Sequence, residues 1–190
     1  MPRRHPPIPD VWLMTDERMG GDLWGALARL PRGSGVVFRH YGVPTVQRRA
    51  LFARIARIAR TRRLLLLRAG PVRLARHEEG VHGARRARDH RLRTAPAHSR
   101  AEAVSEIRAG ADALFVSPVF ATRSHPGART LGRVRLGLMV LGLDTPLIAL
   151  GGMNADRART MRGLGIRRWA AIDAWTREKQ PRQKRKAVPT

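Results

Sequence analysis

The sequence predicts an α/β fold in the form of a compact, single-domain (β/α)8 barrel, or TIM barrel, from three observations. Eight short apolar runs occur along the 190-residue chain, and amphipathic stretches lie between most of them. Polar or glycine-containing turns separate each apolar run from the amphipathic stretch that follows it. Strands that alternate with helices favour a parallel sheet, and eight such units close it into a barrel. The predicted strands are residues 11–14, 36–38, 64–67, 80–82, 92–95, 113–116, 147–150 and 169–172.

The longest helical signal lies between the second and third strands. In residues 46–63, Leu51, Ile55 and Ile58 recur at helical spacing, and arginines occupy the other face. This pattern is typical of an outer-layer helix that packs one apolar stripe against a sheet.

Capping residues predict two further helices. Ser99 and Glu102 have capping-box spacing, and Gly110 follows at the expected end. Asn154 is the predicted N-cap of a helix that ends at Gly163 and Gly165. The connections after the third and fourth strands are short, with room for a turn or two of helix.

Length and composition favour one domain with flexible ends. We expect a flexible N-terminus over 1–10, the barrel over 11–175, and a disordered basic tail over 176–190, which is charged and nearly free of large apolar residues. No apolar run approaches the roughly 18 residues that would span a bilayer. The first residues lack the apolar segment of a secretory signal, so a cytoplasmic location is expected.

The formal net charge of +24 raises the question of nucleic-acid binding. All but three of the 38 basic residues are arginines spread through every segment, and the chain has one Tyr and four Phe. This distribution favours a basic solvated surface over a specific nucleic-acid groove. If the protein binds nucleic acid, the 176–190 tail is the expected contact.

Two residue types that are missing from the predicted barrel exclude whole classes of chemistry there. The chain has no cysteine, which excludes disulfides, thiolate catalysis and cysteine-based metal centres. The first lysine is Lys179, in the tail, so the predicted domain offers no nucleophile for Schiff-base catalysis.

Motifs in the last three strands carry a family resemblance. The segments "GADALFVSPVFATRSHPGARTLG" and "PLIALGGMNADRARTMRGLGIRRWAAIDAW" resemble the thiamine-phosphate synthase and thiazole tautomerase (TenI-like) superfamily. Weaker matches lie upstream in "WLMTDER", "GVHGA" and "TAPAHSRAEA". The resemblance covers about residues 11–175 and implies a TIM barrel. It also implies either a transferase that joins an aminopyrimidine diphosphate to a thiazole phosphate with release of pyrophosphate, or an isomerase of a carboxythiazole phosphate.

The resemblance implies a phosphate site at the loops after strands seven and eight. It falls on Gly151 and Gly152, and on Ile172 and Asp173, the last in the place of a phosphate-binding Ser. The residues themselves agree, because paired glycines before a capped helix let backbone N–H groups approach an anion. The alternative is a tight turn that needs glycine only for its dihedral angles.

The resemblance also implies the other site residues. Arg39 is the retained member of the second-strand diphosphate motif, and His125 stands where the synthase has a lysine, so both are the predicted catalytic residues. The predicted substrate-binding residues come from the fifth strand and the loop after the sixth: His98, Ser117, Thr122, Arg123 and Ser124. Asp16, at the end of the first strand, is expected to be a hydrogen-bonded structural acid.

Magnesium is implied by the resemblance, but its expected ligands are absent. The family's Asn-Asp pair falls near Ala69 and Gly70, and its acidic residues after strand four become Arg85 and Arg86. Arginines could instead neutralise a diphosphate directly. His82, His98 and His125 map to one face, but their spacing fits no metal motif, so no protein metal site is predicted.

Three functional hypotheses remain open at this point. The first is a synthase-like enzyme of thiamine biosynthesis acting on small phosphate esters. The second is a barrel that binds a thiamine-pathway phosphate after losing catalysis, or a tautomerase-like one, although Pro118 stands where the tautomerase has its histidine. The third is a basic nucleic-acid-associated protein. No membrane partner is expected, and self-association is left open.

Overall fold

Eight parallel strands form a closed barrel in the order in which they occur along the chain. The computed structural model describes residues 7–84, 91–122, 127 and 129–176. The TIM-barrel prediction is confirmed, and the strands lie within two residues of their predicted bounds. They are β1 Val11–Met14, β2 Gly35–Phe38, β3 Leu65–Ala69, β4 Gly80–His82, β5 Leu92–Ala97, β6 Ala113–Val116, β7 Leu147–Leu150 and β8 Arg168–Ala171.

The described residues include five α-helices and three short 3-10 turns. The helices are α1 Asp22–Arg29, α2 Thr45–Arg62, α3 Arg100–Arg108, α4 Gly132–Val140 and α5 Ala155–Met161, and the turns are Glu17–Met19, Arg162–Leu164 and Asp173–Trp175. The predicted flexible N-terminus lies outside the described residues as far as position 6, and the predicted tail lies outside them from position 177.

Helix α2 lies within one residue of its prediction, but its buried face is rotated. Phe52, Ile55 and Ala59 are buried, whereas Leu51 and Ile58 are half-buried. The small Ala59 lets the helix approach the barrel closely, and the rings of Phe52 and Phe38 pack edge to face with centroids 5.5 Å apart.

The predicted caps of α3 and α5 are present. Ser99 accepts a hydrogen bond from the N–H of Glu102, and Asn154 accepts one from the N–H of Arg157. The Glu102 carboxylate accepts from the N–H of His98, not from that of Ser99 as a capping box would require. Helix α5 ends at Met161, and a 3-10 turn carries the chain to Gly165.

The connection between β3 and β4 has room for a turn or two of helix but contains none. Residues 70–79 are held instead by Glu78, whose buried carboxylate pairs with the Arg68 Nε at 2.8 Å. The same carboxylate accepts hydrogen bonds from the N–H groups of Leu74 and Ala75. An ion pair with its hydrogen bonds completed can replace a packed helix as the anchor of this segment. Most of the connection after β4 lies outside the described residues.

Aromatic rings fill the barrel. Trp12 packs edge to face on Phe115 with ring centroids 5.4 Å apart, and His82 packs on Phe115 at 4.9 Å. These residues come from β1, β6 and β4, which are not neighbours, so their rings can meet only inside the barrel. Gly35 provides the room, because a Cβ there would lie 2.1 Å from the Trp12 ring. In the described part of the chain, no helix has the length and apolar character needed to cross a membrane.

We expect Glu78→Gln to lower the free energy of unfolding by about 3 kcal/mol, because it leaves the Arg68 guanidinium buried without its counter-charge. Urea unfolding followed by circular dichroism measures this change. The control is Asp156→Asn, which breaks the exposed Asp156–Arg159 pair and should leave stability almost unchanged. Equal effects of the two substitutions would contradict the anchoring role of Glu78.

Candidate functional site

A cavity of about 270 Å³ opens at the edge of the barrel where the strands end. All eight described residues among the predicted site residues line it, although they are spread along the chain from position 39 to position 173: Arg39, His98, Ser117, Thr122, Gly151, Gly152, Ile172 and Asp173. They follow β2, β5, β6, β7 and β8. The other three, Arg123, Ser124 and His125, lie outside the described residues, so their roles stay predictions.

Gly151 and Gly152 form the part of the cavity wall that follows β7. Both have positive φ angles, 95° and 60°. A Cβ on Gly151 would lie 2.8 Å from the Pro118 Cα, and one on Gly152 would lie 2.3 Å from the Ala121 carbonyl oxygen. The glycines are therefore required by backbone geometry and by the β6 loop packed against them. This packing is a structural reason for both glycines that is independent of any ligand.

Two hydrogen bonds join this loop to the one after β6. The N–H of Val119 donates to the Leu150 carbonyl at 2.9 Å, and the N–H of Phe120 donates to the Gly151 carbonyl at 3.1 Å. Beside this contact, the Arg157 guanidinium donates to the Gly152 carbonyl and lies 4.9 Å from the centroid of the Phe120 ring. The loops after β6 and β7 thus form one wall.

His98 and Ser117 form the next part of the cavity. The Nδ1 of His98 lies 2.9 Å from the Ser117 carbonyl oxygen and 3.3 Å from its Oγ. A carbonyl can only accept, so Nδ1 carries the proton in this contact. In the neutral ring, Nε2 is then left as an acceptor at the exposed rim.

Arg39 supplies positive charge to the opposite side of the cavity. Its backbone N–H donates to the Thr15 Oγ1 at 3.1 Å, and its carbonyl accepts from the Arg48 guanidinium at 3.2 Å. The Arg39 guanidinium itself donates no hydrogen bond to any residue that the structure describes. The backbone is therefore fixed, while the cationic group is available to a ligand.

Two nearby histidines are held neutral. Burial, with a smaller contribution from the Arg39 charge, lowers the pKa of His82 to about 3. Burial also lowers the pKa of His40, with Arg48 and Arg39 adding to the effect against opposing Glu17 and Asp16. The His82 ring is packed in the barrel interior, with its Nδ1 3.0 Å from the Thr94 Oγ1, and does not line the cavity. It is therefore not a candidate ligand at the rim.

Carboxylates near the mouth already have partners. Asp16 accepts from the Arg18 backbone N–H at 3.0 Å and from its Nε at 2.7 Å, and these contacts hold the pKa of Asp16 below its ordinary value. The Glu17 Oε1 accepts from the N–H of Gly42 at 2.6 Å. The pKa of Arg18 is raised by Asp16 and, to a smaller extent, by Asp173, so its charge also acts on the Asp173 side of the cavity. Asp16 is hydrogen-bonded, as the sequence predicted.

A magnesium ion does not fit the described residues at this mouth. No group of three His, Asp or Glu side chains among the described residues is placed to hold a metal ion. At the end of β3, the Ala69 carbonyl accepts from Arg48 at 2.7 Å, and the Gly70 carbonyl accepts from Arg68. Cationic donors thus already occupy the oxygens nearest the expected ligand position, and a divalent cation requires free oxygen ligands.

Comparison with known proteins agrees with this architecture. The sequence model of the thiamine monophosphate synthase family matches residues 27–175. The chain belongs to this family. A thiamine-phosphate synthase of Pyrococcus furiosus is 35% identical over 80 residues, which cover 42% of this chain and 39% of the relative. One from Chloroflexus aurantiacus is 34% identical over 92 residues, covering 48% and 43%. The matched regions span less than half the length of these relatives.

Solved structures support the fold. A thiamine phosphate pyrophosphorylase from Pyrococcus furiosus superposes with a TM-score of 0.75 at 24% identity, covering 89% of this chain and 88% of that one. A second, from Bacteroides thetaiotaomicron, gives a TM-score of 0.59 at 18% identity. At these identities the likeness establishes the barrel alone.

Sequence reasoning missed three arginines that shape the site: Arg18, Arg48 and Arg157. Two of them hold backbone carbonyls beside the cavity, at Arg39 and Gly152, and the third pairs with Asp16. The only sequence signal was the proximity of Arg18 to Asp16. Arginine is so abundant in this chain that neither its presence nor its spacing singles out the other two.

We expect Gly152→Ala to destabilise the protein by about 2 kcal/mol or more, through its positive φ angle and the clash with the Ala121 carbonyl. Gly163→Ala is the matched control, since no atom lies within 4 Å of a Cβ there. It should leave stability unchanged or raise it. Thermal unfolding of both variants measures the difference, and an unaltered Gly152→Ala protein would contradict the packing of this wall.

His82 should make stability depend on pH. Its folded-state pKa of about 3 lies below its unfolded value, so between these values the unfolded chain binds a proton that the folded one does not. Stability is therefore retained above about pH 6.5 and is lost as the pH falls toward 3. We expect His82→Gln to reduce the loss of unfolding free energy between neutral and mildly acid urea titrations. The exposed His77→Gln should retain the full loss, and the same pH dependence in both variants would refute the assignment.

Proposed function

We propose that the protein joins an aminopyrimidine diphosphate to a thiazole phosphate, forming thiamine phosphate and pyrophosphate. The observation that carries the proposal is the cavity, which places a cationic Arg39 on one side and the Gly151–Gly152 loop on the other. A reaction between two anionic substrates requires two separate anion-binding regions, one for each substrate. Membership of the thiamine monophosphate synthase family supports this choice among the reactions that a TIM barrel can host.

The thiazole phosphate belongs at the β7 and β8 end of the cavity. Gly151 and Gly152 present backbone without side chains, and Ile172 and Asp173 follow β8 beside them. Phosphate sites at the last two strands recur in barrels of this architecture. The Asp173 carboxylate alone would repel a phosphate. The positive charge of Arg18 acts on that carboxylate and offsets part of this repulsion.

The diphosphate belongs at Arg39. In the proposed reaction the bond between the methylene carbon and the diphosphate oxygen breaks, and its electron pair leaves with pyrophosphate. The thiazole ring nitrogen forms the new carbon–nitrogen bond with its lone pair. Negative charge grows on the leaving oxygen, and a guanidinium fixed nearby stabilises that charge more in the transition state than in the bound substrate. No protein nucleophile takes part.

The remaining residues bind and orient the reactants. Ser117 and Thr122 bring hydroxyl groups to the cavity, and His98 contributes an imidazole fixed by its contact with the Ser117 carbonyl. Arg123, Ser124 and His125 follow Thr122 in the sequence and lie outside the described residues. We propose that His125 takes the role of the family's lysine and provides a cation beside the departing diphosphate.

A phosphate-binding protein without catalysis is the second candidate. It is favoured by one observation, namely that the described residues around the mouth hold no ligand set for the magnesium ion that the family implies. The tautomerase alternative has Pro118 on the cavity wall where that reaction requires a histidine. The nucleic-acid hypothesis concerns the tail, which lies outside the described residues.

Product formation tests the proposal. Purified full-length protein is incubated with aminopyrimidine diphosphate, thiazole phosphate and magnesium, and thiamine phosphate is quantified by chromatography. We expect turnover, and a fall in kcat/KM of about 30-fold or more in Arg39→Gln, because a charge-assisted contact to the leaving group is lost. The His125→Ala variant should also have a lower kcat/KM than the parent protein. Arg135→Gln removes the same charge from the exposed face of α4 and should leave turnover unchanged.

If no product forms, the synthase proposal is wrong, and ligand binding then tests the phosphate-binding candidate. If thiazole phosphate still raises the melting temperature, the binding protein is the correct description. If neither product nor a shift is seen, both candidates are wrong.

A further inference from the structure

We propose that the diphosphate end of the cavity binds its anion by fixed guanidinium charge alone, without a divalent cation. The inference rests on the proposed function for the identity of the substrate, but the binding property belongs to the site and can be measured separately. Diphosphates carry several negative charges, which enzymes commonly neutralise with magnesium. This chain places arginines in that position.

The Arg39 guanidinium is a cation at the cavity that donates no hydrogen bond to a described residue, and the nearby Asp16 carboxylate, which acts on it through its charge, is itself held by Arg18. It is half-buried, and its backbone is fixed at both ends, by Thr15 at the N–H and by Arg48 at the carbonyl. A planar guanidinium can contact two diphosphate oxygens at once and keeps its charge at every working pH. The group is thus prepared to bind an anion.

Arg48 adds a second positive charge behind the first. Its side chain is only 6% exposed, and it donates to two backbone carbonyls, those of Arg39 and Ala69. Its Nε is buried without a hydrogen-bond partner. No described carboxylate pairs with it, so its charge is not cancelled locally. Arg48 is a positioning residue that holds the chain around Arg39 and raises the local positive potential.

The described acids that could attract a metal ion at this end are already engaged. Asp16 is held by Arg18, Glu17 by the N–H of Gly42, and Glu78 by the buried Arg68. Releasing Asp16 or Glu78 would break an ion pair and expose an arginine to the incoming cation, and releasing Glu17 would leave the N–H of Gly42 without its acceptor. Anion binding by arginine requires no such rearrangement.

Calorimetric titration of the full chain with inorganic pyrophosphate tests the proposal at constant ionic strength. We expect one pyrophosphate per chain in EDTA. Excess magnesium should leave the affinity unchanged or weaken it, since the metal lowers the charge of the ligand. Binding that appears only with magnesium would overturn the proposal.

Matched variants separate the site from the overall charge of +24. Arg39→Gln should weaken pyrophosphate binding in EDTA by about tenfold or more. Arg39→Lys, which keeps a charge but loses the two-pronged contact, should give an intermediate affinity. Arg135→Gln changes the net charge equally and should bind as the parent does. Equal weakening by Arg39→Gln and Arg135→Gln would mean non-specific attraction and would refute the site. Circular dichroism checks that each variant is folded.

The result is distinguishable from that of the product assay. Pyrophosphate binding in EDTA without any product would leave the metal-free site standing and remove the proposed catalysis. Product formation combined with strictly magnesium-dependent pyrophosphate binding would support the proposed catalysis and refute the metal-free site.

Discussion

Pairing of β1 with β8 closes the barrel, and the position of every site residue depends on that closure. Leu13 lies opposite Ala171 in this pair, and the seam is reinforced where the Trp175 Nε1 donates to the Trp12 carbonyl at 3.2 Å and Arg29 donates to the Trp175 carbonyl. Because all eight strands are parallel, closure gathers their carboxyl ends at one mouth. Residues that are far apart in the chain, such as Arg39 and Asp173, then face one cavity.

The two sides of that mouth differ in how they are built. On the side of β6 to β8, the wall consists of backbone packed on backbone, and Gly151 and Gly152 are needed because any side chain would strike the adjoining loop. On the side of β2 and β3, the mouth is cationic, and arginines bind the carbonyls that a metal ion would otherwise approach. A small phosphate suits the first environment, whereas a diphosphate leaving group requires the concentrated charge of the second.

The sequence predicted most of the fold because the strands are short apolar runs separated by clear turn and capping residues. It could not give the rotation of α2, since Phe52 and Leu51 are both apolar and only the barrel surface decides between them. It also could not show that Glu78 replaces a helix between β3 and β4, because burial of a charge depends on its partner Arg68. The cavity residues came from family motifs, and comparison with those motifs pointed to Arg85 and Arg86, which lie outside the described residues, and not to Arg48. Arg48 is identified only by its burial and its two carbonyl contacts.

A crystal structure of the protein grown in EDTA with both thiazole phosphate and pyrophosphate is the most direct test of this division. The account predicts two separate anions in the cavity, one beside Gly151 and Gly152 and the other in contact with the Arg39 guanidinium, with no metal ion between them. Both anions on surface arginines, or a pyrophosphate that binds away from Arg39, would contradict it.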